Sequence, residues 1–158
     1  MKLRQLLPAL CLAALSLSAG AAQYACPDLS AARQVNACPT EDELRHTYTG
    51  FCSDNAKAYA KETDSCPRYE DYRAMKNTAL WESADGVFDG YVSCDQPPAK
   101  VKALKANGMQ VVKQGSITKL VCSYPDGINF TYRTKGACKV ADDKACVAGA
   151  ANCRATCD

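Results

Sequence analysis

The stretch Leu120-Val121-Cys122-Ser123-Tyr124-Pro125-Asp126-Gly127-Ile128-Asn129-Phe130-Thr131-Tyr132-Arg133 decides the fold class. Leu120, Cys122 and Tyr124 alternate with Val121 and Ser123. Ile128, Phe130 and Tyr132 alternate with Asn129, Thr131 and Arg133. A period of two sends successive side chains to opposite faces of a strand. Pro125-Asp126-Gly127 lies between the runs and is a turn, because proline presets φ and glycine accepts a positive one. The stretch is therefore an antiparallel hairpin with one apolar face and one mostly polar face.

Further strands lie upstream. Met109 to Val112 is a neighbouring strand. Ala79 to Ser83 and Val87 to Cys94 flank Asp85-Gly86, a hairpin turn signal, with the single tryptophan, Trp81, across the turn from Phe88. The expected sheet is mainly antiparallel, with about five strands. Pro97-Pro98 breaks the chain, and Ala99 to Asn107 is a basic helix with Val101 and Leu104 inward and Gly108 ending it. Before the sheet the chain is helical. Thr40 to Glu43 is a capping box, and Glu41 and Asp42 suit the positive end of a helix. That helix is expected to stop at Tyr48-Thr49-Gly50. Ser53 caps a second helix, Asp54 to about Glu62, and a third follows Pro67 through Tyr69, Tyr72 and Met75. Short N-terminal helices with a later antiparallel sheet make an α+β fold.

The chain has 158 residues, a formal net charge of +2 and 11 cysteines. It is long enough for one ordinary domain. Met1 to Ala22 has the build of a secretory signal peptide: Lys2 and Arg4, an apolar run from Leu6 to Leu17, then small residues from Ser18 to Ala22. Cleavage is expected after Ala21 or Ala22, leaving residues 23–158 as a single disulfide-rich domain. The apolar run is too short to span a bilayer, and no comparable run follows, so no membrane span is expected after cleavage. Neither Cys11 nor Cys26 has the small and aliphatic neighbours of a lipoprotein site.

Cleavage removes Cys11. Cys26, Cys38, Cys52, Cys66, Cys94, Cys122, Cys138, Cys146, Cys153 and Cys157 remain, an even set in an exported chain, and disulfides are expected. Spacing does not dictate their pairing. Bridges from Cys38, Cys52 and Cys66 are expected to clamp the helices to each other or to the sheet, and bridges in the last twenty residues to hold down a segment poor in large apolar side chains. Metal binding is the weaker reading. There is no Cys-x-x-Cys pair and His46 is the only histidine. No metal or other cofactor is expected. The missing Cys-x-x-Cys also argues against thioredoxin-like chemistry.

Charge is unevenly placed along the mature sequence. Cys26 to Asp95 holds 13 acids and 7 bases; Gln96 to Lys139 holds one acid and 8 bases. Lys100, Lys102, Lys105, Lys113, Arg133 and Lys135 are therefore a candidate binding surface. The plainer reading puts the interleaved aromatics Tyr124, Phe130 and Tyr132 in the core and the bases in water. Nucleic acid is not an expected partner; a protein or envelope component is.

Few residues carry a catalytic signal. His46, near Glu43, Asp42 and Asp54, is conceivable as a base. Glu70, Asp71, Glu82, Asp85 and Asp89 offer carboxylates for glycoside hydrolysis, though Asp85 and Asp126 stand beside glycine and are explained by turn chemistry. There is no Gly-x-Ser-x-Gly elbow.

Cys26-Pro27-Asp28-Leu29, the central Trp81 and Phe88, and the strand Leu120-Val121-Cys122-Ser123-Tyr124 followed by Cys138 resemble small exported cysteine-containing bacterial proteins of unknown function. Those share an early Cys-Pro, a central Trp, and a late Cys-x-Tyr strand paired to a final Cys. The chain departs from them by its helical insert with Cys38, Cys52 and Cys66 and by its four-cysteine tail. The resemblance implies a fold and a periplasmic or secreted compartment, and no activity. The expectation is an exported, non-enzymatic binding module, such as an inhibitor or virulence-related factor. The opposing expectation is a small secreted hydrolase using paired carboxylates and His46. An open face with exposed aromatics favours the first; acids or His46 converging in a cleft favour the second.

Overall fold

A computed structural model describes residues 21–52, 68–141 and 153–158. The expected helix Asp54–Glu62, and Cys66 and Cys146, lie outside the described residues. The fold is a disulfide-rich α+β domain with two antiparallel sheets. Its strands are β1 (Ala22–Ala25), β2 (Arg33–Gln34), β3 (Thr78–Glu82), β4 (Asp89–Ser93), β5 (Gly108–Gln114), β6 (Ile117–Ser123), β7 (Asn129–Thr134), β8 (Cys138–Val140) and β9 (Arg154–Cys157). Six form a sheet in the order β2-β3-β4-β7-β6-β5; three form a second, β1-β9-β8. The helices are α1 (Glu41–Cys52), α2 (Tyr69–Lys76) and α3 (Pro98–Ala103).

The decisive hairpin is β6–β7, with Leu120 opposite Tyr132 and Cys122 opposite Phe130. Its turn has positive φ at both central residues, Asp126 (62°) and Gly127 (74°), the type I′ pattern that Asp-Gly favours. Leu120, Cys122 and Phe130 are fully buried. They meet Trp81, Val92 and Met109 on the inner face of the large sheet. Leu29, in a short 3-10 turn, Val101 of α3, and Ala155 and Cys157 of the small sheet close the same core. The Tyr24 ring stacks on Tyr132 at 4.3 Å and donates its hydroxyl to it at 2.8 Å, which joins the two sheets.

The large sheet has the strands expected, about five, plus the two-residue β2, and the second, three-stranded sheet is an addition to it. β1, β2, β8 and β9 are two to four residues long, too short to show alternation by themselves. Trp81 stands opposite Gly90 rather than Phe88. The loop is longer than Asp85-Gly86 alone: Ser83 N donates to Phe88 O at 2.9 Å, and residues 84–87 form the turn. The Ser83 hydroxyl and Val87 N–H both reach the Asp85 carboxylate, and these bonds hold its pKa below the usual aspartate value. Gly90 is required for another reason. A Cβ there would run into the Asn129 carbonyl, so glycine lets β4 close against β7.

The capping box forms as expected: Thr40 N donates to Glu43 Oε2 (2.7 Å) and Glu43 N to Thr40 Oγ1 (3.2 Å). The helix passes through Gly50 to Cys52 instead of stopping at Tyr48-Thr49-Gly50, because its inner side packs on aromatics: Tyr48 and Phe51 meet Tyr72 of α2. Glu41 accepts from Tyr69, Arg73 and Arg45, and Arg73 continues to Asp95, so one charged chain ties the helix pair to the end of β4. The basic helix ends at Ala103, with Leu104 extended, and Gly108 begins β5 instead of capping a helix. Asn107 N is drawn to Ser123 O, at 2.8 Å, before a second turn can form.

Three disulfides pair among the described cysteines: Cys26–Cys122, Cys38–Cys94 and Cys138–Cys157. Cys52 and Cys153 are disulfide-bonded as well. Cys38–Cys94 fastens the approach to α1 onto the end of β4, as a clamp from helix to sheet. Cys122 is bound to Cys26, not to the later Cys138, because the Tyr124 hydroxyl donates to Pro27 O (2.6 Å) and lays the Cys-Pro segment along the end of β6. Burial raises the Tyr124 pKa above the ordinary tyrosine value, with the Asp28 charge adding to it.

Candidate functional site

Among the described residues the hydrophobic core lies against one face of the six-stranded sheet. Burial alternates along β3, β4, β6 and β7. Residues whose side chains point away from the core are half-buried or exposed. On this open face Leu80 stands opposite Tyr91, and Val35 N donates to Leu80 O at 2.8 Å. Tyr91 is 67% exposed and Val35 50%. The three make an apolar stripe across β2, β3 and β4. An exposed tyrosine presents a rigid apolar ring with a hydrogen-bonding tip.

Beside the stripe runs a row of charges. Arg33 is paired in register with Glu82, and Glu82 with Asp89. Arg33 Nη2 reaches Glu82 Oε2 at 3.4 Å, and Arg133 Nη1 reaches both Asp89 oxygens at 2.8 and 3.0 Å. The order is plus, minus, minus, plus. Two carboxylates directly opposite on adjacent strands repel; an arginine on each side offsets this.

Glu82 and Asp89, two of the carboxylates singled out in the sequence, are thus brought together. A hydrolytic pair needs one carboxyl held protonated in an enclosed or apolar setting beside an ionised partner. These two stand on an open face between guanidinium groups. Asp85 belongs to its turn, Asp71 to an ion pair with Arg68, and Glu70 is exposed on α2. His46 is exposed on α1. Among the described residues no three His, Cys, Asp or Glu side chains are grouped as metal ligands.

The six basic residues divide. Lys100 pairs with Asp126 at 2.8 Å and Lys105 with Asp28 at 3.1 Å, and Lys102 is exposed on α3. Arg133 is held by Asp89. Lys113 and Lys135 are exposed. Lys113 is opposite Thr118, whereas α3 lies by the Ser123 end of β6. Five residues of strand separate those ends, roughly 17 Å. The sequence cluster is therefore two groups in space. The Tyr91 stripe was missed because Tyr91-Val92-Ser93 looks like ordinary strand; the signal available was a tyrosine in phase with Asp89 and opposite to the buried Val92.

Comparison with known protein families, curated proteins and solved structures finds no match to this chain. Among the described residues no helix is long and apolar enough to cross a membrane.

Proposed function

We propose that the protein is an exported binding module of the periplasm or extracellular space, and that its open sheet face receives a protein or envelope component. The observation that carries this reading is the exposed Tyr91 at the end of the Val35–Leu80–Tyr91 stripe, set beside the Arg33–Glu82–Asp89–Arg133 row. Tyrosine and arginine are the residues that interfaces favour, and a balanced charge row selects orientation more than sign of charge. Disulfides belong to oxidising compartments, which supports export. The scaffold is cross-linked on both sides of this face, by Cys38–Cys94 and Cys26–Cys122. A rigid face loses little freedom on binding.

The test is affinity capture from envelope and culture fractions with the oxidised mature protein, beside a Tyr91→Asp variant. A stoichiometric partner retained by the parent and lost by the variant is the expected result. A partner held equally by both places the contact elsewhere. A glycan- or nucleic-acid-cleaving activity abolished by Glu82→Gln in a folded protein replaces the binding reading with the hydrolase.

A further inference from the structure

The core side of β3 and β4 holds a small cleft beside the disulfide Cys38–Cys94. Trp81 stands opposite Gln34 on β2 and Gly90 on β4, and Ala79 stands opposite Val92. Gly90 puts no side chain beside the indole, and Ala79 puts only a methyl in the next row. The space left is a cleft of about 90 Å³. Trp81, Ala79, Val92 and Pro98 make it apolar, the Cys38–Cys94 bridge borders it, and Gln34 and Gln96 bring amides to it. The residues that line it carry no charge.

Trp81 is 4% exposed, yet its indole N–H donates to no group among the described residues. A buried tryptophan N–H normally finds a partner. Nor is this one sealed off, because no side-chain nitrogen or oxygen among those residues is both fully buried and unpartnered. An N–H that is neither bonded nor sealed off opens on a space beside its ring. The Gln96 amide likewise makes no hydrogen bond among the described residues, whereas the Gln34 amide is engaged, donating to Asn36 O at 2.7 Å.

We infer that the Trp81 N–H opens on this cleft, and that the cleft binds a small uncharged amide such as a five-membered lactam. The ligand carbonyl accepts from Trp81 Nε1, its ring lies against Ala79, Val92 and Pro98, and Gln96 meets the amide at the rim. A carboxylate could accept from the same N–H, but its charge would sit against apolar walls with no cation among the lining residues. A ligand without an acceptor leaves the N–H desolvated and unpaired. The Cys38–Cys94 bridge fixes one border of the cleft before a ligand arrives, so little freedom is lost on binding. The cleft and the Tyr91 stripe lie on opposite faces of β3 and β4, so the two proposals fail separately.

The probe is 2-pyrrolidone, titrated into the oxidised, isotope-labelled mature chain and followed by nuclear magnetic resonance. Trp81 is the single tryptophan, so one indole N–H resonance reports on the cleft. That resonance should shift saturably, with a dissociation constant of about 1 mM, the range open to so small a ligand. Its exchange with deuterated water should slow as the ligand saturates. Tetrahydrothiophene keeps the ring and loses the carbonyl; cyclopentanecarboxylate adds a charge. Each should bind about tenfold more weakly or worse. Ala79→Val fills the cleft from its floor and should abolish the shift. If that variant does not fold, the two comparison ligands still decide. No saturable shift, equal binding of either comparison ligand, or unchanged affinity in a folded Ala79→Val overturns the proposal. So does an indole N–H that the free protein already shields from exchange, which would mean that another group of this chain bonds it.

Discussion

Removing the Cys26–Cys122 bridge should be costly, and the other bridges set by how much. The sequence separation is 96 residues, for which loop-closure entropy gives about 4.7 kcal/mol. Cys38–Cys94 shortens the route. From Cys26 to Cys38 is 12 residues and from Cys94 to Cys122 is 28, so the loop still closed is about 40 residues, worth about 3.9 kcal/mol. The double variant Cys26→Ala/Cys122→Ala should lose that amount, or somewhat more for the volume left beside the fully buried Cys122. For a domain of this size the melting temperature should fall by about 12 °C. Guanidinium unfolding at pH 7, monitored by Trp81 fluorescence, gives both stability and slope. The slope should rise, because a less constrained unfolded chain exposes more surface. A loss below about 1.5 kcal/mol with an unchanged slope would refute the reasoning, since the entropic model predicts more than twice that loss.

Gly90→Ala forces a methyl onto the Asn129 carbonyl and should destabilise by about 1–3 kcal/mol in the same assay; a neutral result means that β4 and β7 can separate at no cost. Hydrogen bonds and ion pairs hold Asp28, Glu41, Glu43, Asp71 and Asp85 below the ordinary values of 3.8 for aspartate and 4.5 for glutamate. A depressed carboxylate contributes stability above its unfolded pKa and loses it as pH falls through the folded one. Stability should therefore be steady from neutrality to about pH 5 and decline below it, less steeply in Glu43→Gln, which keeps a capping box without the titration; an unchanged acid limb in that variant contradicts the cause. Ala22 pairs with Cys157 in β1, so cleavage after Ala21 preserves every β1–β9 pair. If the chain is exported and cleaved as proposed, mass spectrometry should find Ala22 at its N-terminus, and Gln23 there would show that β1 starts one pair shorter.

What the sequence made legible follows the range of each signal. Leu120 to Tyr132 announces its hairpin because alternation, a turn and burial agree within fourteen residues. Thr40 and Glu43 announce a helix start because the cap is made of neighbours. The end of α1 was not legible: Gly50 signals a stop, and Tyr72, about twenty residues on, overrides it. The small sheet was hidden for the same reason, since Ala22–Ala25 and Arg154–Cys157 become strands only by pairing across almost the whole chain. Of the candidate site, Glu82 and Asp89 were visible as acids and Arg133 as a base. Their meeting in one row depends on β3–β4–β7 register, and the exposure of Tyr91 on which side of β4 faces the core.

The central claim is that partners meet the open face at Tyr91. Photo-crosslinking tests it most directly, with benzoylphenylalanine placed at Tyr91 in one protein and at exposed His46 in another, each incubated with envelope and culture fractions. The account predicts one dominant adduct from position 91, competed by unlabelled parent protein, and none from position 46. Equal adducts from both positions, or an adduct from 46 alone, would contradict it.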